Sequence, residues 1–342
     1  MKYKNPKKSK YNQSYNIFRK KRKKTKKIIS EYFFIANIIL IIIKVISISF
    51  MSILLMKFMS LKSNSKENNK IKVALCTMGR NENLYINEFV NYHLSLGVDR
   101  IFLYDDNVDE KEKFINVITP NDSVVIEYNK DYGLINQEQA FTHCYTKHKN
   151  EFDWIIIIDI DEFLIINNGT LKGYLSDKVF DKCDFIKIHW KMNKDNNLVH
   201  YENKSLFERF KGPYILENFI KTILKGGINN LTYAVHSPKF SPERNVTCDN
   251  TGRIVNYTKL HFQSMKPHNS DRAYILHFHF KSTEEHINKF KRGYKNWPHL
   301  NIDGWIYNYF KNNKVTLEKI ELFEKEFNIT LDKYRNKLHI KN

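Results

Sequence analysis

Apolar residues along this chain fall into alternating strand-like runs and helix-like spacings, and together these predict the architecture. The clearest run is Trp154-Ile155-Ile156-Ile157-Ile158. It is β-branched and has no polar face, which suits a central strand of a parallel sheet covered on both sides. A second strand is expected at 71–77. After it, Leu84, Ile86, Phe89, Val90, Leu94 and Leu96 recur at helical spacing up to Gly97. A strand at 100–104, a short helix at 110–118, a strand at 123–128 and a helix at 135–149 lead to the isoleucine run. Strands alternating with helices predict βαβ units and a mixed, mostly parallel α/β sheet flanked by helices. Beyond residue 165 the rhythm changes, with strands expected at 184–192, 206–210 and 219–224. A Gly-, Pro- and Asn-rich stretch follows over 226–258. A strand is expected at 273–281, then a helix capped by Ser282 or Thr283 with Glu284 and Glu285 in its first turn. Helices at 302–311 and 315–326 precede a Lys-rich tail.

One apolar stretch is of a different kind. Residues 32–56 include sixteen Ile, Leu, Phe or Val, a length that crosses a bilayer core of roughly 30 Å. Lys44 near its centre costs about 2.5–3.5 kcal/mol on insertion scales, against about −5 to −10 kcal/mol from the sixteen apolar residues. The run is too long for a cleaved signal peptide, so a signal anchor is the expectation. Charge agrees with this. Of the net +19, residues 1–30 supply 13 Lys/Arg and no Asp/Glu, leaving 43 basic against 37 acidic residues beyond them. The excess is a tail that holds the N-terminus in the cytosol, and a basic-arm nucleic-acid binder is disfavoured. The expected organisation is a basic cytosolic tail 1–31, a transmembrane anchor 32–56, a stem 57–70, a main domain 71–327 and a basic tail 328–342. The anchor makes this a single-pass type II membrane protein facing a secretory-pathway lumen such as the Golgi. Cys76, Cys144, Cys183 and Cys248 show no metal-type spacing, leaving two disulfides or buried thiols. Several Asn-x-Ser/Thr sequons, among them Asn168, Asn203, Asn230, Asn245, Asn256 and Asn328, carry little weight in so Asn-rich a chain.

The isoleucine run ends at Asp159 and Asp161, which point the same way if the chain stays extended. In open α/β sheets ligands bind beyond the carboxyl ends of the strands. Acids crowded there repel one another unless a cation lies between them, so the pair reads as a divalent-metal site that grips a diphosphate. Arg80, Asn81 and Glu82 follow the first strand, at the same sheet edge, where a nucleotide would lie. Asp105 and Asp106 stand beside them, as base or ribose contacts or as a plain turn. His277 and His279 share one face of a strand, with Phe278 and Phe280 on the other. Lys281 continues the polar face, an arrangement suited to one metal-ligating imidazole and one phosphate-binding ammonium.

These blocks resemble family 2-like and family 92-like glycosyltransferases. The resemblance rests on Asn81-Glu82, on Tyr92-His93 four residues before Gly97, and on Tyr104-Asp105-Asp106-Asn107. It continues through Asp159-Ile160-Asp161-Glu162-Phe163, Lys221, His236-Ser237-Pro238, and His277 to Ser282 followed by Lys289 and Arg292. What it implies is a GT-A-like fold that moves a sugar, of the hexosyl type and with inversion, from a nucleotide-diphosphate donor to a glycan or glycoconjugate acceptor, using Mn²⁺ or Mg²⁺. It also implies Asp161 as principal metal ligand with Asp159 in support, and His277 ahead of His279 as the third ligand. The base that takes the acceptor proton is open among Glu162, Glu208 and Glu217. Residues 191–197 depart from the family, which has a Phe-Gly and small-residue loop there. A non-catalytic GT-A-like membrane protein acting as a sugar- or partner-binding module is the alternative, and the clustered acids speak against it.

Overall fold

The computed structural model describes residues 71–133, 136–240, 246–255, 269–292 and 301–339. The expected anchor at 32–56, the basic tail before it and the stem lie outside the described residues. Among the described residues, no helix is long and apolar enough to cross a membrane.

The first half builds as its pattern predicts. Strand β1 (Val73–Gly79) leads into helix α1 (Ile86–Leu96), which ends at Gly97 in the left-handed region (φ 113°), the usual helix-stopping conformation. Strands β2 (Arg100–Asp105) and β3 (Val124–Tyr128), helix α2 (Gln137–His148) and strand β4 (Trp154–Ile157) follow. β1 pairs in parallel with β2 and β4, and β2 with β3. Successive side chains of β1 and β4 go to opposite faces. Val73, Leu75, Ile156 and Ile158 join α1 residues Phe89 and Val90 in one core, while Ala74, Cys76, Ile155 and Ile157 join Phe141 and Tyr145 of α2 in another. The isoleucine run thus fills both layers at once, which is why it shows no polar face. Each fully buried isoleucine contributes about 1.5–3 kcal/mol.

The second half inserts antiparallel strands into the sheet. Strand β5 (Glu162–Ile166) is followed by a short helix α3 (Leu171–Leu175) and strand β6 (Phe185–Met192), then helix α4 (Leu206–Arg209) and strand β7 (Ile215–Lys225). Strands β8 (Thr232–Tyr233) and β9 (Pro238–Phe240) form a small hairpin, and β10 (Thr247–Asp249) and β11 (Ala273–His277) complete the main sheet. Its order is β3-β2-β1-β4-β7-β6-β11-β5, with β10 also on β6. Five of its eight pairings are parallel, which is consistent with the GT-A-like sheet the resemblance implies. The four cysteines form two disulfides, Cys76–Cys144 joining β1 to α2 and Cys183–Cys248 joining the start of β6 to β10.

Three expectations are revised. The strand expected at 206–210 is the helical turn α4, because Ser205 and Glu208 form a reciprocal capping box that closes it. The helix expected at 110–118 is a pair of 3₁₀ turns. The strand expected through residue 281 stops at His277, because the Phe278 N–H turns to Asp161 O at 2.9 Å. Helix α5 (Thr283–Lys291) starts from the capping box of Ser282 and Glu285. Helices α6 (Ile302–Asn312), α7 (Leu317–Phe327) and α8 (Asp332–His339) pack with it around Phe280, Ile287, Tyr309, Phe323 and Tyr334. α8 lies in the segment read as a Lys-rich tail.

Candidate active site

The chain does not stay extended after Ile158. The Glu162 N–H donates to Asp159 O at 3.0 Å, making a turn that separates the two acids. The expectation that they point the same way is therefore corrected. Asp159 accepts from Lys221 Nζ at 2.9 Å and from Gln137 Nε2 at 2.6 Å. Asp161 is buried and accepts from Lys289 Nζ at 2.8 Å and Lys281 Nζ at 3.3 Å on Oδ2, while His277 Nε2 lies 3.5 Å from Oδ1. Burial alone would raise the Asp161 pKa, but Lys289, Lys281 and His277 together hold it well below the usual carboxylate range. Burial keeps His277 below its ordinary value, so its ring is neutral near pH 7.

Glu162 sits beneath both acids with no exposed surface. One carboxylate oxygen accepts the Asp159 N–H at 3.0 Å, and Lys221 lies 3.6 Å from the same oxygen. Burial, reinforced by Asp159 and Asp161 against Lys221, pushes its carboxyl well above the ordinary range. Such a group braces the turn and has no face to offer an acceptor hydroxyl. Of the other base candidates, Glu208 belongs to the α4 capping box and Glu217 lies partly exposed on β7.

The loop after β1 reaches the same edge. A Cβ on Gly79 would meet Ile160 Cδ1 at 2.1 Å, so any other residue here would push the Ile160 side chain aside in the turn between the acids. Arg80 donates to the Asp106 carboxylate at 2.6 Å and to its carbonyl at 3.1 Å. The Asp105 carboxylate accepts the N–H groups of Asn107 and Phe114, both at 2.8 Å. Asp105 therefore holds the β2 turn, the bland reading of that pair. Asn81 has a positive φ of 52°, and Glu82 is buried and pairs with Arg292 at 2.5 Å.

Between this loop and α5 lies a cavity of about 400 Å³, lined among others by Asn81, Glu82, Tyr85, His279, Lys281, His286, Lys289 and Arg292. Three expected donor-site residues, Asn81, Glu82 and Lys281, meet there with His279, the second-choice metal ligand. Lys289 and Arg292 were quoted in the resemblance but not expected as site residues. Their signal was the 3–4 spacing of Glu285, His286, Lys289 and Arg292, which puts all four on one face of α5. Lys221 and Gln137 were also missed as partners of Asp159.

Two lysines thus meet one buried carboxylate near the carboxyl edge of the sheet, beside a cavity rimmed by Arg292. The pattern of glycosyltransferase family 92 matches residues 69–303, and the chain belongs to that family. Among curated relatives, a family 92 protein of Oryza sativa subsp. japonica is 35% identical over 105 residues, covering 30% of this chain and 18% of the relative. One from Arabidopsis thaliana is 32% identical over 112 residues, covering 33% and 20%. The chain thus spans about a fifth of the length of the curated relatives it matches. The solved structure of HddC from Yersinia pseudotuberculosis aligns over 46% of this chain and 74% of its own at 12% identity, with a TM-score of 0.25, too low to bear on function.

Proposed function

We propose that this family 92 glycosyltransferase moves a hexosyl group from a nucleoside-diphosphate donor to a glycan or glycoconjugate acceptor, with inversion. The observation that carries the reading is the convergence of Lys281 and Lys289 on Asp161 beside the cavity lined by Asn81, Glu82 and Arg292. A departing nucleoside diphosphate gathers negative charge, and preorganised cations stabilise it without reorganisation. With the donor bound, Lys281 and Lys289 shift part of their pairing from Asp161 to phosphate oxygens. The acceptor oxygen attacks the anomeric carbon, the bond to the diphosphate oxygen breaks, and the acceptor proton leaves to a carboxylate base.

The residues present fit Mn²⁺ or Mg²⁺. Asp161 is ionised, and His277 is neutral with Nε2 3.5 Å from Asp161 Oδ1. Its buried Nδ1 lies 3.9 Å from Glu162 Oε1 without a hydrogen bond among the described residues. Among the described residues there is no group of three or more His, Cys, Asp or Glu that could hold a metal. Asp161 and His277 would therefore hold the ion, with phosphate and water completing it, as is usual for Mg²⁺. When bound, it would offset charge on the leaving diphosphate. Asp159, turned to Lys221, supports the edge from outside that pair. The test is Mn²⁺-dependent hydrolysis across a panel of nucleotide sugars. Asp161→Asn should lower turnover by about 10²–10³-fold, and normal turnover in that variant would sink the metal-and-diphosphate reading.

We also read the protein as anchored by residues 32–56 with the catalytic domain in a secretory lumen. The two disulfides support an oxidising compartment. Protease added to sealed vesicles should spare residues 70–342, and digestion of that region would reverse the topology.

A further inference from the structure

The opposite flank of His277 carries a feature that the donor site does not use. β7 pairs with β6 in regular register from Phe185↔Leu224 to His189↔Ile220, then slips so that Lys191 faces Leu216. Residues 217–219 therefore stand opposite Trp190 alone. Bulges of this kind break the alternation of a strand and re-aim side chains, often next to active sites. Here the bulge leaves Phe219 40% exposed just beyond the carboxyl end of β4, where β7 pairs with β6 alone, its ring 5.3 Å from Trp190. His236 closes a triangle, 5.1 Å from Trp190 and 5.9 Å from Phe219. The Trp190 ring in turn meets His277 at 4.4 Å.

This aromatic group is tied to both acids of the site. Contacts run from Lys289 through Asp161 and His277 to Trp190 and Phe219. On the other side Lys221, two residues along β7 from Phe219, holds Asp159 and the Val235 carbonyl, and Thr222 holds the His236 carbonyl. A single exposed phenylalanine is ordinary on a protein surface. One turned out by a bulge, backed by a buried indole and joined to the reaction site is a different matter. Its rim is polar, since Asn218 is exposed and Glu217 half-buried on the same bulge.

We propose that Phe219, backed by Trp190 and flanked by His236, is the platform on which a pyranose ring of the acceptor stacks. One face of a pyranose presents C–H groups, which are attracted to the negative face of an aromatic ring. Its edge presents hydroxyls, which Asn218 and Glu217 can meet. Lys281, Lys289 and Arg292 line the cavity at the far end of the contact chain, whereas Lys221 near the platform is buried against Asp159 and Glu162. The diphosphate therefore lies at the far end and the platform takes the sugar end. The proposal rests on Asp161 marking the donor end, and its test is independent of turnover.

Saturation-transfer NMR on the full-length chain with methyl glucoside, methyl galactoside, methyl mannoside and methyl N-acetylglucosaminide reads the contact directly. Wild-type protein should pass saturation to the ring C–H protons of at least one. Phe219→Ala should lose that signal, Phe219→Tyr should keep it, and Asp161→Asn should leave it unchanged. In transfer assays, Phe219→Ala should raise the acceptor KM about tenfold with the donor KM unmoved. A rise in donor KM instead assigns the ring to the donor's sugar. Wild-type protein silent with every glycoside, or Phe219→Ala indistinguishable from wild type, would overturn the platform. Absence of nucleotide-sugar turnover in the wild type would remove the donor reading, while the NMR result would still decide the platform.

Discussion

Asp159 and Asp161 stand two residues apart and meet different partners, because a turn held by Glu162 separates them. The pair was legible in the sequence as acids at the end of an apolar strand. The turn was not, since Asp-x-Asp-Glu is compatible with an extended or a bent chain. The histidines pose the same problem two residues wide. His277 places Nε2 3.5 Å from Asp161 Oδ1, whereas His279 lines the cavity with its ring 5.1 Å from that of His277. Both are held below the ordinary histidine range, chiefly by burial, so charge state does not separate them. Proximity does. His277→Ala should raise the Mn²⁺ concentration for half-maximal activity about 10–100-fold, and His279→Ala should change it much less. The reverse ranking in a Mn²⁺ titration would move the metal ligand by two residues.

At the scale of elements, α5 was legible because its cap and first turn are local signals: Ser282 with Glu285 three residues on. What holds α5 in place was not legible, because it is assembled from residues far apart in the chain. The Thr283 hydroxyl and the Tyr309 hydroxyl are 2.8 Å apart, and Tyr309 donates to Asp195 at 2.5 Å. Lys319 pairs with the same buried carboxylate, and His286 stacks on Trp305 at 4.4 Å. These contacts fix the helix that carries Lys289 and Arg292 to the site. They also occupy part of the 191–197 segment, where Asp195 belongs to a buried ion pair with Lys319 of α7. The β7 bulge escaped for a related reason, since apolar content locates a strand but not a slip in its register. Between 206 and 210, Leu206 and Phe210 fit a helical turn as well as a strand, and the Ser205–Glu208 cap decided the outcome.

For the whole molecule, the burial of neutral histidines sets a pH dependence. Burial drives His93 down to about 3, its Nδ1 hydrogen-bonded to Phe89 O at 2.9 Å. Burial, with Lys221 adding to it, takes His236 to about 3 as well. His277, His279 and His286 are lowered in the same direction, chiefly by burial. An unfolded histidine titrates near about 6.5. Below that value the unfolded chain binds protons that the folded chain excludes, so stability falls as the pH drops. The contribution is fully present above about 6.5 and is lost progressively toward the folded values, at up to about 1.4 kcal/mol per pH unit for each histidine. Glu162 opposes this, because its raised pKa makes the folded state the better proton binder above the unfolded carboxyl value. Glu88 is raised by burial as well, and two carboxyls against several imidazoles leave the histidines in control between about pH 6.5 and 5. Carboxylates with depressed pKa values, Asp161 among them, add their losses only at lower pH. Urea midpoints should therefore fall steadily from pH 7.5 to pH 5. His93→Gln should be less stable at pH 7.5 but should lose stability with a slope smaller by about one proton. A midpoint flat across that window in the wild type would mean that these rings fold with their protons on.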